Sequence, residues 1–184
     1  YLFAPPFRSV IDTVTVLKKL SVAAPAIGVD SFTPEYFTPC AGNVMFTVGH
    51  TPRWASSAPN NINCVPAYQP GGADPPKDLN PDGSGPNQYF RDFITAFIKH
   101  SKGRIRNWEM WNEPGGRRQW TGTMQQLVRM TRDLRSIVKE NDPAALLLTP
   151  PYIGAAKDLA PKLDEFFKAD GGQFVDTVTF HGYL

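Results

Sequence analysis

Residues 104–116 read "RIRNWEMWNEPGG", and the fold turns on whether this is a strand or one side of a helix. Ile105, Trp108, Met110 and Trp111 fall within seven positions. Pro114-Gly115-Gly116 then stops the run. A short apolar-rich segment closed by Pro and Gly reads as a buried strand. Its neighbours support that. Before it, "PNQYFRDFITAFIKHSKG" carries Phe90, Phe93, Ile94, Phe97 and Ile98 at helical spacing, between Pro86 and Gly103. After it, "TGTMQQLVRMTRDLRSIVKENDP" repeats the helical pattern through Leu127, Met130, Leu134, Ile137 and Val138. Thr123 stands where an N-cap belongs, and Asn141-Asp142-Pro143 closes the helix.

The rhythm continues to the end of the sequence. "AALLLTPP" is a wholly apolar strand, and "AKDLAPKLDEFFKADGG" a third helix with Pro161 in its first turn or at a kink. "FVDTVTFHGYL" is a last strand, and upstream "NVMFTVGH" adds one more. Helices alternating with strands of continuous hydrophobicity predict an α/β fold, a parallel sheet covered by helices. Residues 55–86 form a long loop rich in Pro, Gly and Asn, and a loop of that length in a compact domain is usually functional. Residues 1–42 resist assignment. "SVIDTVTVLKKL" suits a helix or a strand, and the stretch that follows is rich in proline.

Composition narrows the function. With 184 residues, 41 % hydrophobic and 20 % charged, the chain has the make-up of one globular domain, 1–184. A net charge of +2, whose sharpest cluster is Arg117-Arg118, excludes nucleic acid as a natural partner. No apolar run approaches the roughly 20 residues of a membrane span. His50, His100 and His181 lie far apart with no metal-ligand spacing, so neither a metal nor another cofactor is expected. Cys40 and Cys64 suit a disulfide or two free thiols equally. The opening "YLFAPPFRSV" has neither an initiator Met nor the layout of a signal peptide. It reads as the start of a processed product or fragment and leaves the compartment open, secretion included.

The candidate chemistry sits at the end of the opening strand. Glu113 follows it in the loop at its carboxyl end, where parallel α/β sheets place active sites. Between apolar walls such as Trp111 and Trp120, a glutamate can be held protonated and act as a proton donor. Asn112 offers an amide to a hydroxyl, and Pro114 biases the preceding pair towards extended geometry. A loop glutamate that merely solubilises a turn is the plainer alternative. Glu109 is four residues earlier, about 13 Å back along a strand. That is too deep for chemistry, and suits a structural partner for Arg53 or Arg106.

"WEMWNEP", "TPRWAS" after the preceding strand and "TFHGY" on the last strand together resemble the clan A glycoside hydrolases. These are (β/α)8, or TIM, barrels that hydrolyse β-linked glycans and glycosides with retention. The flavour is that of the family 39 β-xylosidase-like group, with residues 43–184 as strands three to six. The resemblance implies Glu113 as acid/base and Asn112 as ligand of the sugar 2-hydroxyl. It implies Trp54 as a stacking or wall residue, and His181 and Tyr183 as pocket residues. It also implies a nucleophilic glutamate on a seventh strand, about 5–5.5 Å from the acid/base. This sequence ends just past the sixth. Asp74, Asp78 and Asp82 read as solvated loop residues and do not supply it. The expectation is therefore a partial or reduced barrel: a piece of a longer product, an incomplete gene model, or a chain whose open sheet edges repack or self-associate. A carbohydrate-binding protein that has lost the chemistry is the alternative.

Overall fold

A computed structural model describes residues 44–101 and 103–182. The readings of residues 1–42, of Cys40 and of Tyr183 lie outside the described residues. β1 (Val44–Val48), β2 (Ile105–Met110) and β3 (Leu146–Leu148) form a parallel sheet in that order. Helix α1 (Gln88–Ser101) connects β1 to β2, and α2 (Met124–Asn141) connects β2 to β3. Beyond β3 the chain makes β4 (Tyr152–Ile153), α3 (Ala156–Lys168), a short 3-10 turn (Gly171–Phe174) and β5 (Phe180–His181). β5 pairs in parallel with β4. Among the described residues no helix is long and apolar enough to cross a membrane.

Strand register sorts the side chains onto two faces. Phe46, Trp108 and Leu147 are aligned across the sheet, and Trp108 and Leu147 are fully buried. This row packs with Phe97 and Ile94 of α1 and with Leu134 and Val138 of α2 in one apolar core. Neighbouring residues on a strand point to opposite faces, so Met45–Asn107–Leu146 and Thr47–Glu109–Leu148 line the other side. In a barrel that side is the interior. Here Met45 and Leu146 stay 41 % and 43 % exposed.

The capping expectation for α2 is met. The Thr123 hydroxyl accepts from the Gln126 amide, and Gln126 Oε1 accepts from the Thr123 amide, a reciprocal box that satisfies two otherwise unpaired donors. Pro161 falls inside α3, past its first turn. The last strand is shorter than its hydrophobicity suggests. Thr177 makes only an isolated bridge with Leu148, and Thr149 and Thr179 exchange side-chain hydrogen bonds in place of a ladder.

The loop after β1 is folded rather than solvated. Gly71 to Pro76 are buried, and Cys64, Tyr68 and Ala73 form a small core of their own. Asp74, expected in solvent, is buried and accepts from Asn61 and from the Thr121 hydroxyl. Cys64 carries a free, buried thiol. A second anchor is Asp133 on α2, bonded to Arg91, Arg129 and Asn87, while Arg129 also holds the carbonyls of Gly83 and Gly85. These bonds tie the loop to the segment that follows β2 and to α2.

Candidate active site

Just past β2 the chain leaves extended geometry. Trp111 and Glu113 both have positive φ, 63° and 52°. Left-handed geometry costs a non-glycine residue about 1–2 kcal/mol, so the surroundings must impose it. They do so through Trp111. Its amide donates to the Val48 carbonyl at 2.6 Å, its indole N–H to the Gln119 carbonyl at 2.8 Å, and its ring meets Trp120 edge-on at 4.6 Å. The extended geometry expected of Glu113 is therefore not found. The buried Trp111 anchor outweighs the preference set by Pro114.

The turn delivers Glu113 to the end of β5. Its Oε1 lies 2.8 Å from His181 Nδ1, both side chains being partly buried. Glu109 is deeper but not remote. Its carboxyl accepts from the Thr47 hydroxyl at 2.7 Å and is influenced by Thr179 and His181. Burial pushes its pKa up, against the pull of those hydroxyls and of the histidine. Among the described residues it pairs with neither Arg53 nor Arg106; Arg53 instead holds Pro59 and Asn60. The expected structural ion pair is replaced by a threonine hydrogen bond inside the sheet's inner face.

Two further residues belong here that sequence reasoning passed over. His50, just beyond β1, is 5 % exposed and stacks on Tyr68 with ring centroids 4.5 Å apart. Burial lowers its pKa from 6.5 to about 4, so it is a neutral imidazole. Tyr68, from the long loop, is raised to about 12, chiefly by burial. The Asn112 side chain, hydrogen-bonded to the phenol, lowers its pKa, and the charge of Glu113 raises it. His50 Nε2 is buried without a hydrogen-bond partner among the described residues. A buried polar group left unpaired costs roughly 1–3 kcal/mol. His50 had a usable signal, since it stands past its strand much as Glu113 stands past β2. Tyr68 had none.

The remaining candidates are scattered. Trp111 and Trp120 are core residues beneath the turn, 1 % and 7 % exposed. Trp54 is 41 % exposed and lines a cleft that shares no lining residue with the Glu113–His181 pair. No cluster of three metal-ligating side chains occurs among the described residues. The arrangement brings together a carboxylate hydrogen-bonded to an imidazole, an amide, a neutral histidine and a tyrosine. That set can exchange a proton with a bound group and grip several hydroxyls.

No family model matches the chain, and no curated protein does. Solved structures do. A glucosidase from Croceicoccus marinus is similar over 76 % of this chain and 26 % of its own, at 20 % identity and a TM-score of 0.49. The catalytic domain of GH30 xylanase C from Talaromyces cellulolyticus is similar over 86 % of this chain and 37 % of its own, at 14 % identity and a TM-score of 0.56. The chain thus spans well under half the length of either. At such identity the likeness to the xylanase domain speaks for fold alone, and the fold agrees with what the sequence led us to expect. The chain is an α/β, partial TIM-barrel-like parallel sheet with outer helices, of the architecture on which a glycoside hydrolase catalytic domain is built.

Proposed function

We propose that this chain is part of a glycoside hydrolase catalytic barrel acting on a β-linked glycan or glycoside, with residues 43–184 as strands three to six. The observation that carries the reading is Glu113 at the mouth of β2, bonded to His181 at the mouth of β5 and bordered by Asn112 and Tyr68. Glu113 is the general acid/base of a retaining reaction, protonating the leaving oxygen and later taking a proton from water. Asn112 holds the sugar 2-hydroxyl, and the neighbouring His50 and Tyr68 hold further hydroxyls. Trp54, in a neighbouring cleft, offers a separate stacking surface for a sugar. The series "WNEP", "TPRWAS" and "TFHGY" favours the family 39 β-xylosidase-like group within clan A.

Retention also needs a nucleophilic carboxylate about 5–5.5 Å from the acid/base. Glu109 suits that role poorly, being buried, hydrogen-bonded to Thr47 and shifted towards its neutral form. This observation favours a second reading, carbohydrate binding without hydrolysis. Release of aryl alcohol from aryl β-xylosides and β-glucosides, lost in Glu113→Gln, supports the first. Saturable quenching of tryptophan fluorescence by xylo- or gluco-oligosaccharides without release supports the second. Neither release nor binding sinks both.

A further inference from the structure

The loop after β1 bounds a second feature, an open cleft of about 410 Å³. Its lining includes Arg53, Trp54, Gln69 and Lys77, and it holds two cations and no acid. The volume is in the range of small-ligand sites. Trp54 is exposed and held edge-on by Tyr89, with centroids 5.4 Å apart. Lys77 Nζ fixes the platform from the side, donating to the Trp54 carbonyl at 3.0 Å and lying 4.8 Å from the centre of the Tyr89 ring.

Both cations keep spare capacity. Arg53 uses its Nε on Pro59 and one Nη on Asn60, leaving guanidinium donors unassigned, and Lys77 uses one ammonium hydrogen on Trp54. Among the described residues neither forms an ion pair with a carboxylate. Two cations at a concave surface with no acid between them make a local positive potential. An exposed indole beside them supplies an apolar face suited to a sugar ring. The cleft also adjoins the candidate active site along the chain. Pro52 of its lining closely follows His50, and Gln69 directly follows Tyr68.

We propose that this cleft binds a carboxylate-bearing sugar, a uronic acid residue of an acidic β-linked glycan. Trp54 takes the ring, Arg53 and Lys77 take the carboxylate, and Gln69 takes a hydroxyl. The sugar in this inference rests on the glycan reading of the Glu113 site, while its negative charge is inferred from the cleft's own residues.

The test compares a neutral xylo-oligosaccharide with the same oligosaccharide bearing one glucuronic acid, titrated into the full chain at low and moderate salt. We expect the acidic ligand to bind roughly tenfold more tightly, or about 1.4 kcal/mol, with the advantage shrinking as salt rises. Arg53→Gln combined with Lys77→Gln should abolish the advantage while the neutral ligand keeps its affinity, which separates lost charge from the loop bonds these side chains also make. Glu113→Gln should keep it. Equal affinity for the two ligands, an advantage that survives the double variant, or displacement of the acidic ligand by equimolar acetate would each overturn the proposal. Failure of both ligands to bind would overturn the glycan reading with it. A preference for the acidic ligand without any hydrolysis would uphold the cleft and leave the catalytic reading to fall alone.

Discussion

Burial of His50 has a cost that pH exposes. In the unfolded chain its imidazole titrates near 6.5, and in the folded chain burial holds it down to about 4. A group whose folded pKa is depressed contributes stability above its unfolded pKa and loses it as pH falls towards the folded one. The gap of about 2.5 pH units, at about 1.36 kcal/mol each, amounts to roughly 3 kcal/mol at full protonation. Between pH 7.5 and pH 5 the same two values give a loss of about 2 kcal/mol. His50→Gln removes the titration and keeps a polar side chain. Urea unfolding followed by tryptophan fluorescence, at both pH values and on both proteins, isolates the term as a double difference. Titrations shared by the two proteins cancel, and Tyr68, stacked on the ring, does not ionise in this window. The wild type should lose about 2 kcal/mol more than the variant on going to pH 5. Equal losses would refute a buried, neutral His50 and with it the free Nε2 assigned to the candidate site.

Three further outcomes are expected. Asp133→Ala strips Arg91, Arg129 and Asn87 of their shared partner and should cost roughly 1–3 kcal/mol in urea unfolding, because the buried Asn87 amide is left unpaired and the loop loses its anchor; a loss below half a kcal/mol would contradict the anchoring role. Thr123→Ala should cost about 1 kcal/mol by removing the cap of α2, and Thr123→Ser should restore most of it. Glu109 has a raised pKa, so its contribution is fully present below the ordinary carboxylate range and is lost as pH rises through the folded value. The stability of Glu109→Gln relative to the wild type should therefore climb between pH 4 and pH 7, and a flat difference would remove the burial argument.

What the sequence shows best is local. Helical spacing from Phe90 to Ile98, the Thr123 cap and the apolar "ALLL" run each report contacts within a few residues, and each element appears where its pattern lies. The loop between β1 and α1 is opaque for the opposite reason. Its order comes from partners far along the chain: Thr121 holds Ala73 and Asp74, Arg118 holds Cys64, and Arg129 holds Gly83 and Gly85. No periodicity records a backbone carbonyl that accepts from an arginine some 45 residues away. Tyr68 inherits that opacity, and Asp74 looks solvated until the loop closes over it.

The two glutamates of "WEMWNE" show how far two backbone angles can move a site. Strand spacing puts Glu109 about 13 Å behind Glu113, and that arithmetic holds only while the chain stays extended. It stops at Met110, and the left-handed Trp111 and Glu113 turn the chain so that Glu113 bonds to His181, which also acts on Glu109. A hydrogen bond between a carboxyl and an imidazole nitrogen survives in either protonation state. With Nδ1 protonated, Glu113 Oε1 accepts from it whether or not Oε2 carries a proton. In the acid/base role proposed above, the proton exchanged with substrate would be the one on Oε2, and the bond through Oε1 would keep Glu113 oriented before and after it leaves. An acid/base residue needs that property, because it must donate in one step and accept in the next from the same place. In this chain it comes from a tryptophan buried under the turn, whose anchoring sets the angle from which the carboxylate meets its partner.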